Sequence, residues 1–291
     1  MSMTEGASHE RAISAERVME GAIRKMRTAL DDPVTYHWVS EAGELPLNPA
    51  IGKVVRLEFA GQINCVYCNR LTKKSFNQGY CYPCFKKLAQ CDSCIVKPEK
   101  CHYAEGTCRE PEWGDAHCNI EHVVYLSHTS AAKVGITRGT QVPTRWMDQG
   151  ATQARPIARV ATRHQSGLLE VALGQHIGDK TAWQTMLKGD GEPLDLAAVR
   201  DDLFAKCAND IAALQERFGL QAVQWLDDAP EGAIRYPVQV WPSKVKAHNF
   251  DKTSLVEGTL LGIKGQYLML DTGVLNVRKF GGYQIRLEIQ S

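Results

Sequence analysis

The 291-residue chain lacks the marks of several protein classes. No stretch approaches the roughly 20 uninterrupted apolar residues of a membrane helix, so no membrane span is expected. The opening MSMTEGASHERAISAERVME has no basic segment followed by an apolar one, and it does not read as a secretory signal. Net charge is only +1, so no overall basicity announces nucleic acid. There is no internal repeat and no low-complexity tract. A content of 44% hydrophobic and 23% charged residues excludes wholesale disorder. These absences leave the expectation of a cytoplasmic protein with one large domain or several small ones.

Cysteine is what the chain has in excess. Nine of its ten cysteines lie between Cys65 and Cys118. Clustered thiols in a reducing compartment read as metal ligands rather than disulfides. Cys65-Val-Tyr-Cys68 and Cys81-Tyr-Pro-Cys84 form CxxC–x12–CxxC, two thiolate knuckles that can close the tetrahedral shell zinc takes. A third pair, Cys91 and Cys94, together with Cys101 and Cys108, predicts a second zinc. Cys118 with His122 could replace two of these ligands, and His102 and His117 are nearby. Eight thiolates leave no open coordination position, so both ions are expected to be structural, folding a segment whose own apolar core is thin. Lys73, Lys74, Lys86 and Lys87 beside the first site suit either phosphate contact or a solvated face.

Hydrophobic spacing gives the remaining organisation. Ile13, Val18, Met19, Ile23 and Met26 predict a helix over 8–30, stopped by Asp31-Asp32-Pro33. Residues 51–63 alternate as a strand. Two short strands, 123–126 and 133–137, predict a hairpin. A helical stretch after Pro143, a strand over 157–162 and a helix over 168–177 follow. Residues 195–218 predict one long helix with Asp195 as N-cap and Gly219 at its end. Cys207 falls on its apolar stripe and reads as a small core residue. From 233 the chain is β-rich, with Asp271-Thr272-Gly273 as a hairpin turn. The fold class expected is α+β, in units 1–64, 65–121, 122–190, 191–232 and 233–291. Local charge is uneven: residues 133–170 carry six Lys/Arg against two acids, 187–232 four against ten, and 233–291 eight against four. Basic segments can face phosphates, and Tyr267, Asn276, Arg278, Lys279 and Tyr283 make the C-terminal unit either a nucleic-acid surface or a structural cap.

Val123-Val124-Tyr125, then Lys133-Val134-Gly135-Ile136-Thr137, then Arg145 and Glu170, occur in the order of a known nuclease site. Residues 122–190 thus resemble the GIY-YIG nuclease domain, more closely its phage-type branch with a KIG-like second motif. With GTCREPEW, KVGITR, PTRWMDQGA and GIKGQYL, nearly the whole chain also resembles an uncharacterised bacterial family, domain of unknown function 2797. The nuclease resemblance implies a phosphodiester-cleaving centre dependent on Mg²⁺ or Mn²⁺. Tyr125 would orient a water, Arg145 would steady charge growing on phosphorus, and Glu170 would hold the divalent ion. Gly135, Thr137, Arg138, Trp146 and Gln149 would lie along the substrate. Lys133 stands where the second motif has tyrosine, and Gln149 where the family often has His, Tyr or Lys; His164 is a substitute only if the fold returns it to the site. Two other functions stay open: a DNA- or RNA-binding module without hydrolysis, and a structural or protein-interaction protein in which zinc only stabilises. The local alternatives are a core role for Tyr125 and the tryptophans, and an ion pair for Arg145.

Overall fold

The computed structural model describes residues 15–177 and 182–290. Its largest element is a seven-stranded antiparallel sheet. Along it lie Ala15–Ala22, Tyr283–Gln290, Val54–Asn64, Leu255–Lys264, Tyr267–Leu270 and Gly273–Asn276, with Leu71–Thr72 added beside Val54–Asn64. Val55, Leu57, Ile285, Leu287 and Ile289 alternate inward, as a sheet covered on one face requires. A three-stranded sheet of Arg27–Ala29, Thr35–Ser40 and Gly43–Pro46 adds Tyr36 and Trp38 to the same core.

A five-stranded sheet forms the centre of the chain. Its hairpin strands are His122–His128 and Ala132–Arg138, and Gln153–Val160 pairs on the other side of the first. Every residue of His122–His128 is buried because both faces are covered. Val124 and Leu126 face the helices Arg163–Gly174, Leu196–Lys206 and Ala208–Phe218, whereas Tyr125 enters the core of the large sheet. Among the described residues no helix is long and apolar enough to cross a membrane.

The mixed α/β class is as expected, but three elements differ. Ala15–Ala22 is a strand, not a helix; residues 8–14 of the expected helix lie outside the described residues. Its backbone bonds to Tyr283–Gln290, more than 260 residues away, and such pairing overrides local periodicity. Among the described residues of the supposed apolar face, Ile23 and Met26 are buried and Val18 is half exposed. The long helix is broken at Cys207 into Leu196–Lys206 and Ala208–Phe218, although Leu203, Cys207 and Ile211 still make one buried stripe. The helix expected over 168–177 is Arg163–Gly174, started by a capping box between Thr162 and Gln165. Strand Val54–Asn64 lies between two strands of the C-terminal segment, so segments 1–64 and 233–291 share one sheet.

The cysteine-rich segment follows strand Val54–Asn64, largely as short helical turns: Tyr82–Lys87, Ala89–Cys91, Ser93–Ile95, Pro98–Lys100, Tyr103–Glu105 and Pro111–His117. It approaches helix Arg163–Gly174 most tightly at Gly167. A β-carbon built on Gly167 would lie 2.5 Å from Pro98 Cβ and 2.6 Å from the Glu99 nitrogen. Gly167→Ala is therefore expected to lower the unfolding free energy by about 1–3 kcal/mol in denaturant titration. Gly174→Ala, on the same helix with nothing within 4 Å, should cost nothing.

Candidate functional site

Two thiol-rich places and one groove make up the site region. The first place gathers Cys65, Cys68, Cys81 and Cys84, whose sulfurs all lie within 4.8 Å of one another. Cys65 and Cys68 flank a tight turn in which the Asn69 amide donates to the Cys65 carbonyl. Cys81 caps the short helix Tyr82–Lys87, on which Cys84 points back. Cys68 and Cys81 sulfurs are 3.7 Å apart. A tetrahedron of sulfurs about 2.3 Å from a central zinc has edges of about 3.8 Å, so the donor set and spacing fit that ion. Burial opposes ionisation of Cys65, yet the amides of Cys68, Cys81 and Tyr67 and the Cys68 thiol bring its thiol down to about 6. Cys84 is pushed the other way by burial and by hydrogen bonds to the other three sulfurs. Four thiolates this close need a cation between them.

The second place differs from the expected set of Cys91, Cys94, Cys101 and Cys108. A small cavity is lined by Cys94, Cys101, Cys108 and Cys118, but not by Cys91. Cys91 is buried and its thiol bonds to the Asn77 side chain. In this segment a CxxC spacing does not turn both sulfurs to one point, because separate turns, Ala89–Cys91 and Ser93–Ile95, carry them. Of the alternative ligands, His102 also lines the cavity, while His117 stacks on Trp113 and bonds its carbonyl. His122 is wholly buried: its Nδ1 bonds the Ile120 carbonyl at 2.7 Å and its Nε2 has no partner.

The groove, of about 700 Å³, runs between the cysteine-rich segment, the hairpin and helix Arg163–Gly174. Of the residues expected at the site, it brings together Thr137, Arg138, Arg145 and Glu170. Arg24, Lys25, Arg163 and Arg278 join them from distant parts of the chain. Six basic groups thus face two carboxylates, and one of those, Asp148, is held by Lys25 at 2.6 Å and by Gln266 at 2.9 Å. Burial lowers the pKa of Arg163, and the neighbouring Arg145 adds to this against the opposing pull of Cys118 and Glu170. Burial and Arg145 act likewise on Arg278. Arginine stays charged in any protein, so the effect is mutual repulsion that an entering anion relieves. Arg163 Nε is buried without a partner, while its Nη2 donates to the Ile95 carbonyl at 2.7 Å. Arg163 and Glu170 stand two turns apart on one helix face, a spacing visible only once the helix start is placed at 163. No local pattern marked Arg278.

The other expected residues are placed differently. Tyr125 is fully buried beneath the groove; its hydroxyl donates to Gln149 Oε1 at 2.7 Å, and burial pushes its pKa up to about 12 against the pull of the nearby Arg145. Gly135 pairs with Tyr125 across the hairpin, and a β-carbon there would lie 2.6 Å from the tyrosine ring. Glycine is what lets the ring lie flat over the neighbouring strand. Trp146 is not a groove residue. It is buried against Tyr125 and Gly232, so it cannot stack on a base. Lys133 pairs with Ser127 near the far end of the hairpin and does not line the groove; Gln149 is engaged by Tyr125. His164 packs on Phe218, away from the groove lining.

A family model spans this whole arrangement: residues 52–285 match the family described as a protein of unknown function, DUF2797. The chain belongs to the DUF2797 family. No curated protein and no solved structure matches it. In this DUF2797 protein the matched region takes in both thiol clusters, the hairpin and all the groove residues except Arg24 and Lys25.

Cys68→Ser or Cys81→Ser is expected to remove one equivalent of bound metal, read by elemental analysis, and to lower the thermal midpoint by several degrees. His122 supplies a pH test. Burial brings its pKa down to about 4, whereas the unfolded chain takes up that proton near 6.5. Stability should therefore fall as pH drops from about 6.5 to 4, by up to about 3 kcal/mol from this group. His122→Gln should flatten that part of the stability profile.

Proposed function

We propose that this DUF2797 protein binds nucleic acid through the arginine-lined groove and cleaves its phosphodiester backbone there with a GIY-YIG-like centre. The observation that carries the reading is the meeting of Arg145, Arg163 and Arg278 with Glu170 along one groove. Guanidiniums fixed in a part-buried groove are suited to hold a phosphate and the charge that grows on it. Thr137 and Arg138 extend the contact along the hairpin.

Glu170 lines the groove from helix Arg163–Gly174, on the face that carries Arg163. A single carboxylate together with a substrate phosphate and water is a donor set that Mg²⁺ or Mn²⁺ accepts. Such an ion would stabilise the departing oxygen. Arg145 orients the phosphoryl group, and Tyr125, held by Gln149, fixes the floor beneath it. The first thiol cluster would hold a structural zinc, as the thiolate donors and their spacing favour. Thiolate ligation fits a reducing cytoplasm.

A second reading keeps the binding and drops the cleavage. Its support is that the Tyr125 hydroxyl is buried and hard to ionise, and that Lys133, which replaces the second tyrosine, lies outside the groove. Incubation of supercoiled plasmid DNA and single-stranded RNA with the full chain and Mg²⁺ or Mn²⁺ decides between the two. Cleavage is expected, with a loss of about 10²–10³-fold in rate in Arg145→Ala and no cleavage in Glu170→Gln, which should still bind. Binding that weakens with salt but is never followed by cleavage selects the second reading. Absence of any binding removes both. Arg163→Gln should lower the salt slope by about 1.

A further inference from the structure

We infer that Cys94, Cys101, Cys108 and Cys118 form a second metal site, taking one zinc ion as four thiolates. The four come from separate pieces of backbone: the turn Ser93–Ile95, the residue after Pro98–Lys100, the loop before helix Pro111–His117, and the C-terminal cap of that helix. All four line one closed space of about 20 Å³. That is room for a single water-sized body. The four sulfurs are not all within 4.8 Å of one another, so binding would draw them in around the ion, and the ligand atoms within that distance of the Cys94 sulfur and of each other are those of Asp92 and His102. Cys108 Sγ lies beside helix Pro111–His117, 3.5 Å from where a Gly114 β-carbon would be, an ordinary contact distance.

Two other donors reach this space and are already engaged. Asp92 accepts from Arg109 Nε at 2.7 Å and from the Ser93 amide, as the cap of its turn. His102 sets Nε2 toward Asp92 at 3.5 Å and Nδ1 against Thr107 Oγ1 at 2.8 Å. The thiols have no such partners in common, and zinc prefers them. Binding releases the thiol protons to solvent, and no oxidant or reductant is needed.

The site also bears on the groove wall. Arg163 is gripped by this segment at both ends: its amide donates to the Cys118 carbonyl at 2.8 Å and its Nη2 to the Ile95 carbonyl at 2.7 Å. Ile95 follows Cys94 directly. An ion joining Cys94 to Cys118 would hold those two carbonyls at a constant separation, and with them the guanidinium. The metal site itself stands whether or not the groove cleaves nucleic acid.

The test counts zinc in the purified full chain with a chromophoric chelator after denaturation. Two equivalents per chain are expected. Cys94→Ser and Cys118→Ser should each hold one, while Cys91→Ser and Cys207→Ser hold two. One equivalent in the wild-type chain would overturn the assignment, as would Cys91→Ser falling to one while Cys118→Ser keeps two. Titration of metal-stripped wild type with cobalt(II), followed by thiolate charge-transfer absorption, needs no variant. Saturation at two equivalents supports the site, and saturation at one rejects it.

Discussion

The contact between Pro98 and Gly167 sets the geometry on which the groove depends. It holds the cysteine-rich segment directly on the backbone of helix Arg163–Gly174, with no room for a side chain between them. The same helix packs its other face on the hairpin sheet through Leu169 and Leu173. A groove wall with little apolar core of its own is thereby pinned to a helix anchored in a large one. Arg163 and Glu170 flank this contact two turns apart, so their separation is a property of one helix, whatever the surrounding loops do.

Electrostatics explains why such pinning is needed. Like charges drawn from Arg24, Arg138, Arg145, Arg163 and Arg278 repel across the groove they line. Without packing to oppose it, that repulsion would open the groove. The chain answers with backbone hydrogen bonds to Arg163, with Gln78 accepting from Arg278 at 2.8 Å, and with Asp148 balancing Lys25. Arg163 and Arg278 are held by neutral oxygens, so their charge is not cancelled by these partners. That arrangement is costly for an empty protein and well suited to one that meets a polyanion.

Local chemistry was legible in the sequence, and long-range pairing was not. The CxxC knuckles at Cys65 and Cys81 point to one place because each is a short turn of fixed shape. The hairpin could be placed because two short, largely apolar strands flank a turn-rich stretch, and Thr137, Arg138, Arg145 and Glu170 do meet in one groove. Side-chain direction is not legible where two turns of unknown pitch intervene, and for that reason Cys118 and not Cys91 lines the small cavity. Trp146 was offered to substrate because sequence does not say which face of a one-turn helix is buried. Ala15–Ala22 mimicked a helix because its partner strand lies at the other end of the chain. Arg278 reaches the groove by the same long-range closure.

The order of strands in the large sheet has a consequence for biosynthesis. Tyr283–Gln290, the last described strand to leave the ribosome, is not an edge strand: it sits between Ala15–Ala22 and Val54–Asn64. The sheet must keep a gap for it throughout translation, and its two flanking strands cannot pair with each other in the native register meanwhile. Contacts of such long sequence separation form slowly. The thiol clusters are local and can close early, so a nascent chain would carry folded thiol knuckles on an unfinished sheet. Arg278, just ahead of Tyr283–Gln290, arrives late, and the cationic groove assembles only after the segments that supply its other residues.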